Sequence, residues 1–166
     1  MLTSLISLVL GSGAATGQAS DVCSWTQEGS WANYQTGTLK DVEEELTPPK
    51  PEGVGHTPTG LPVKVSVSYG GESRPVSAFN QDAIATFADA QASSPQPNIT
   101  ELFTEEYLFT ESGKDYWLPL QKQMIPFLNQ ELTPGDQVQL LALWIGYSHP
   151  QGEVNHTFLV NEFCKP

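Results

Sequence analysis

Two histidines and one glutamate flank a short polar segment near the C-terminal end of the chain. These residues are His149, Glu153 and His156. Imidazole nitrogens and carboxylate oxygens are common ligands of Zn²⁺, and catalytic zinc sites use three protein ligands. If the segment between the histidines folds back on itself, the three side chains can meet at one metal ion. The spacing matches no established zinc motif, and a solvated polar turn is the alternative to a metal site. We expect no bound cofactor.

Aromatic side chains form a second candidate site, because they can make a platform on which a sugar or a peptide stacks. One group lies near the start of the chain and the other around position 116. Aromatic residues pack into cores more often than they form platforms, so a core role is the alternative. The candidate residues are Trp25, Trp31, Tyr34, Tyr116 and Trp117.

Carboxylates form a third candidate site, since Glu111 and Asp115 lie on either side of a predicted turn. Two carboxylates at a defined separation can act as general acid and base in a hydrolase. The sequence contains no Gly-x-Ser-x-Gly elbow, no phosphate-binding loop, no His-Glu-x-x-His helix and no calcium-binding loop. The absence of these motifs favours a non-catalytic role.

The charge balance restricts the partners. The 166 residues include 7 Lys and Arg against 19 Asp and Glu, which gives a formal net charge of -12. Such a surface repels phosphate backbones and anionic lipid headgroups, so we expect no nucleic-acid partner, and binding to anionic membrane surfaces is disfavoured. A small ligand or another protein remains as the partner.

The first nineteen residues have the pattern of a signal peptide. A short apolar run ends at Leu10, and Gly17 and Ala19 occupy the −3 and −1 positions of a cut before Ser20. A buried helix or strand is the alternative. The run is too short to span a bilayer. We therefore predict export to the periplasm or the extracellular space, and no stable membrane insertion after cleavage.

Two cysteines lie near the two ends of the predicted mature chain, at Cys23 and Cys164. In an oxidising compartment they are expected to form one disulfide, although two free thiols are the alternative. Two Asn-x-Thr triplets, at Asn98 and Asn155, become glycosylation sites only in a host that glycosylates exported proteins.

The remaining pattern divides the chain into a leader at 1–19, an arm with a Pro/Gly-rich loop at 20–60 and a core domain at 61–166. Alternation after Leu61 predicts a strand that ends at Gly70 and Gly71. Further predicted elements are a helix capped by Asn80, a hairpin turning at Gly113, a helix from Pro119 kinked at Pro126, a strand over 138–147 buried on both faces, and a strand over 157–163.

This order of elements predicts a single α+β domain with a mostly antiparallel sheet of about five strands and two helices. The run of hairpin, helix and two strands is similar to the strand order of a five-stranded OB barrel. We interpret the chain as an exported, acidic binding or accessory domain of the cell envelope or extracellular space. The alternative is a small secreted hydrolase that uses carboxylates or a His149/His156 site.

Overall fold

The computed structural model describes residues 23–50, 53–91, 98–149 and 152–166, except for the side chains of 24, 25 and 58. The predicted leader lies outside these residues. The described elements are β1 (Gln35–Thr36), α1 (Leu39–Leu46), β2 (Val54–Pro75), α2 (Ala78–Ala90), α3 (Ile99–Leu102), β3 (Glu105–Glu111), β4 (Lys114–Leu120), α4 (Ile125–Glu131), β5 (Gln137–Ser148) and β6 (Asn155–Cys164).

Five of the strands close into a barrel. The sheet runs β1-β2-β3-β4-β6-β5, and β5 pairs again with β2 to complete the ring. The pairings are antiparallel except those of β1 with β2 and of β4 with β6, and the latter has a single register pair, Leu120 with Val160. The predicted α+β class with a mostly antiparallel sheet is therefore confirmed.

The hairpin and the strand buried on both faces form where the sequence predicted them. β3 and β4 pair in register around Ser112 and Gly113, whose φ angles of 51° and 82° give the turn its left-handed backbone. β5 pairs with β2 on one side and with β6 on the other. Both of its faces are covered, because Trp144 packs in the barrel interior and Ile145 packs outside it.

The barrel interior holds the larger apolar core. Helix α1 adds Leu39 and Val42 to this core, and α4 adds Leu128. The strands contribute Val63, Val65, Val67, Tyr69, Tyr107, Phe109, Tyr116, Leu118, Leu120, Val138, Leu140, Ala142, Trp144, Phe158, Val160 and Phe163. A smaller cluster lies outside the barrel, where α2 and α3 pack on β5 and β6 through Val76, Ile84, Phe87, Phe103, Ile145 and Leu159.

Strand β2 is longer than the sequence predicted at both of its ends. It begins at Val54, inside the predicted Pro/Gly-rich loop, and it continues beyond Gly70 and Gly71 to Pro75. The pairing with β5 is irregular between His56 and Leu61. In this stretch the Thr57 hydroxyl accepts the amide protons of Thr59 and Gly60, which satisfies backbone groups that the irregular ladder leaves unpaired. A Pro-rich segment can therefore still belong to a strand.

The helix predictions need three corrections. The described residues contain four α-helices rather than two. Ser77, not Asn80, caps α2, since its side chain accepts the amide proton of Asn80. Pro119 lies in β4, and Pro126 occupies the first turn of α4, where its missing N–H needs no partner, so it kinks nothing.

The disulfide between Cys23 and Cys164 is confirmed, with Cα atoms 5.8 Å apart. The arm has further anchors besides the disulfide. Lys64, which is 2 % exposed, donates from Nζ to the carbonyl oxygen of Thr26 at 2.9 Å. β1 also pairs with β2, and the amides of Leu39 and Lys40 at the start of α1 donate to the buried Glu111 carboxylate.

Candidate functional site

The His156 side chain is engaged at both ring nitrogens. Trp144 Nε1 donates to Nδ1 at 3.0 Å, which leaves the proton on Nε2, and this proton can be donated to Thr47 Oγ1 at 2.8 Å. Thr47 in turn donates to the carbonyl of Glu43. Burial lowers the pKa of His156, which favours the neutral ring that the acceptor role of Nδ1 requires. The ring links the C-terminal end of α1 to the barrel and has no nitrogen left for a metal.

The other two candidate ligands do not complete a metal site around His156. His149 is half-buried and its backbone amide donates to the carbonyl of Gly53, while Glu153 is exposed. Within 23–50, 53–91, 98–149 and 152–166, no three His, Cys, Asp or Glu side chains are grouped so as to hold a metal ion. The geometry of the described residues therefore gives no support to a zinc site here.

The N-terminal aromatic residues lie against β6. The rings of Trp31 and Tyr34 are 5.5 Å apart and tilted, and Tyr34 accepts a hydrogen bond from Asn161 Nδ2 at 3.0 Å. The side chain of Trp25 lies outside the described part. These contacts give the two described rings a role in packing the arm.

Tyr116 and Trp117 point to opposite sides of β4, as neighbours in a strand must. Tyr116 is buried in the barrel core, and its hydroxyl donates to Glu43 at 3.3 Å. Trp117 lies on the outer face, where the Arg74 guanidinium lies 4.0 Å from its ring centre. The two rings therefore form no common platform.

The predicted carboxylate pair is divided in the same way. Glu111 is buried and binds the start of α1. Asp115 is exposed and accepts a hydrogen bond from Thr110, its partner across the hairpin. Both groups have structural partners, so their positions do not support acid and base roles.

A cavity of about 290 Å³, which the sequence did not predict, lies between α2 and the barrel wall. We call it the α2 groove. On its helix side the lining residues are Phe79, Asp82, Ala83 and Thr86. Their spacing of three and four positions defines one stripe along a helix. The neighbouring stripe, with Ile84 and Phe87, is buried in the outer cluster, so the first stripe is left at the edge of that contact.

The sheet side of the groove is made by the start of β2 and the end of β5. The lining residues are Val54, Gly55 and His56 from β2, and Ile145, Gly146, Tyr147 and Ser148 from β5. Two glycines in this wall, Gly55 and Gly146, allow close packing of the strands. A Cβ on Gly55 would overlap the ring of Tyr147, and one on Gly146 would overlap the Gly55 carbonyl. The absence of both side chains lets the two strands and the Tyr147 ring approach closely.

A buried polar network fixes α2 on the barrel beside this groove. Glu106 on β3 has a fully buried side chain, which receives hydrogen bonds from Arg74 Nε at 2.5 Å and from Asn80 Nδ2 at 2.7 Å. Asn80 Oδ1 accepts from Thr157 on β6 at 3.1 Å. Asn80 therefore joins α2 to two strands, which holds the helix at a fixed distance from the sheet wall.

The α2 groove can hold a small molecule with an apolar body. Phe79 and Ala83, which are half-buried, supply apolar surface, and Val54 at 60 % exposure adds more. A second depression, around Glu43, Glu44, Lys114 and His156, is charged instead, but Lys114 and Glu43 already pair there at 2.6 Å. The sequence did contain one signal of the groove, the 79/82/83/86 stripe beside a buried stripe.

The described helices include none that is long and apolar enough to cross a membrane, and the longest, α2, has 13 residues.

No protein-family model matches the chain, and no curated protein matches it either.

Proposed function

We propose that this protein is an exported binding domain that holds a small, largely apolar ligand in the α2 groove. The observation that carries this proposal is the groove itself, a preformed concavity of about 290 Å³ with apolar walls and a few polar groups. Small-molecule sites have this character, and a volume at the lower end of their range of roughly 300–1,000 Å³ indicates a small ligand.

We also propose that the barrel is of the OB type. What supports this is the closed order β2-β3-β4-β6-β5, with a helix, α4, between the third and fourth barrel strands. OB barrels bind ligands beside the connections that follow their first and fourth strands. Here the first of these connections carries α2, and the groove also contacts the last residues of β5, before the second connection.

Two further observations favour binding over the alternative of hydrolysis. Both ring nitrogens of His156 have hydrogen-bond partners, and Glu111 binds backbone amides. A general acid or base needs a free position for the reacting proton.

Export is part of the proposal because a disulfide persists in oxidising compartments. The net charge of -12 disfavours nucleic acid as the ligand. Sequencing of the secreted protein should find Ser20 at its start; retained Met1 would contradict export.

The test of the binding proposal is a screen of small apolar fragments by thermal unfolding. Thr86, an exposed lining residue, is replaced in Thr86→Trp so that an indole occupies the groove. Ala90→Trp, at the exposed end of the same helix, is the matched control. Fragments should raise the unfolding midpoint of the wild type and of Ala90→Trp but not of Thr86→Trp. Equal shifts in all three proteins, or none in any, would refute the proposal.

A further inference from the structure

We infer that the ligand of the α2 groove is an organic cation, an apolar body that carries a primary or secondary ammonium group. This inference rests on the proposed function and specifies the chemistry of the ligand. It is based on three observations: the polar groups of the helix wall, the absence of Lys and Arg from the described lining residues, and the net charge of the whole chain.

The polar groups on the helix wall accept hydrogen bonds and do not donate them. Asp82 is a carboxylate, and an ionised carboxylate is an acceptor only. Thr86 has one hydroxyl proton, which it donates to the backbone carbonyl of Asp82 at 2.9 Å, so its free lone pairs are acceptors as well. A ligand that satisfies both groups must bring donors. An ammonium group has two or three N–H donors and the opposite charge to Asp82.

No cation of the protein competes for Asp82 within the groove. The described lining residues include no Lys and no Arg, and no salt bridge within the described ranges involves Asp82. His56 and Tyr147 are the other ionisable lining side chains. The formal net charge of -12 adds a field that attracts cations from a distance and repels anions.

The depression near α1 is a weaker candidate for the same ligand. Its carboxylates already have partners, since Glu43 accepts from Lys114 and from Tyr116 and Glu44 pairs with Lys40, so an entering cation would have to displace one of them. The carboxylate of the α2 groove requires no such exchange, and it lies beside the apolar side chains of Phe79 and Ala83. Asp82 also borders a depression beside α3, which is lined by Val76 and Phe103.

The experiment compares three probes with the same six-carbon body, hexylammonium, hexanol and hexanoate, by calorimetric titration at low salt. The proteins are the wild type, Asp82→Asn and Asp89→Asn. Asp89 is exposed on the same helix and does not line the groove. Asp89→Asn therefore removes an equal charge and serves as the matched control. An exposed ion pair changes affinity by up to about fivefold, and added salt should reduce this effect.

We expect the wild type to bind hexylammonium up to about fivefold more tightly than hexanol and to bind hexanoate most weakly. Asp82→Asn should abolish this order, whereas Asp89→Asn should keep it. Equal binding of the three probes, or an order that survives in Asp82→Asn, would overturn the inference of a cationic ligand and leave the groove as a binding site. Failure of every probe to bind the wild type would overturn the proposed function as well.

Discussion

Replacement of Asn80 by alanine should loosen α2 and abolish the groove. Asn80 is 6 % exposed and connects a fully buried carboxylate on β3 with a buried hydroxyl on β6. The lost hydrogen bond to the charged Glu106 costs about 1.5–3 kcal/mol, and the lost bond from Thr157 costs about 1 kcal/mol. Alanine returns up to about 0.7 kcal/mol through its helix propensity. The expected loss of unfolding free energy is therefore about 2–3 kcal/mol.

The assay is urea unfolding followed by tryptophan fluorescence, with Asp89→Ala as the control on the same helix. Asp89 is exposed, so its replacement should change the unfolding free energy by no more than about 0.5 kcal/mol. Hydrogen exchange should be faster in α2 of Asn80→Ala than in β4. A loss below about 1 kcal/mol, or unchanged exchange in α2, would show that the apolar contacts of Ile84 and Phe87 hold the helix and would refute our account of the network.

Two other predictions concern the attachment of the N-terminal segments to the barrel. The double variant Cys23→Ser, Cys164→Ser should lose up to about 5 kcal/mol in urea unfolding, from the chain-entropy model for a separation of 141 residues. Its α1 should stay protected from hydrogen exchange, since Leu39 and Val42 are buried; exposure of α1 would refute this. His156 has a lowered folded-state pKa, so the unfolded chain takes up the proton first, and the unfolding free energy should fall as the pH drops below about 6.5. His156→Gln should remove most of that slope, and an identical slope in both proteins would contradict the neutral ring.

The sequence predicted the parts of the fold that depend on local pattern. The hairpin follows from strand alternation around Gly113, and the strand over 138–147 follows from its continuous apolar run. The helix at α2 was predicted as well, but its cap was misassigned. Asn80 has a side chain suited to an N-cap, and nothing local shows that the chain instead uses it to bind Glu106, 26 positions away.

The parts that the sequence could not predict depend on contacts between distant segments. Prolines and glycines made the start of β2 look like a loop, because its pairing with β5 and the compensating bonds to Thr57 are visible only in the folded chain. The surroundings of the histidine and aromatic candidates depend on the same kind of contact. Their side chains bind partners elsewhere in the chain, such as Trp144 for His156 and Glu43 for Tyr116.

The groove was missed although one of its walls could have been recognised. A helical stripe with one carboxylate, beside a fully apolar stripe, indicates a helix edge that neither enters the core nor faces water completely. The opposite wall has no such signal, since it requires Gly55 and Gly146 to become neighbours across two strands. Their close approach is a property of the register, which sequence patterns do not specify.

The most direct test of the central claim is a titration of ¹⁵N-labelled protein with hexylammonium chloride, followed by amide chemical shifts. The account predicts that the largest shifts occur at Gly55, Ala83 and Gly146, on both walls of the α2 groove, and that they saturate with a single affinity. Shifts concentrated at Glu43 and Lys114, or an absence of saturable shifts, would contradict the claim that the α2 groove is the binding site.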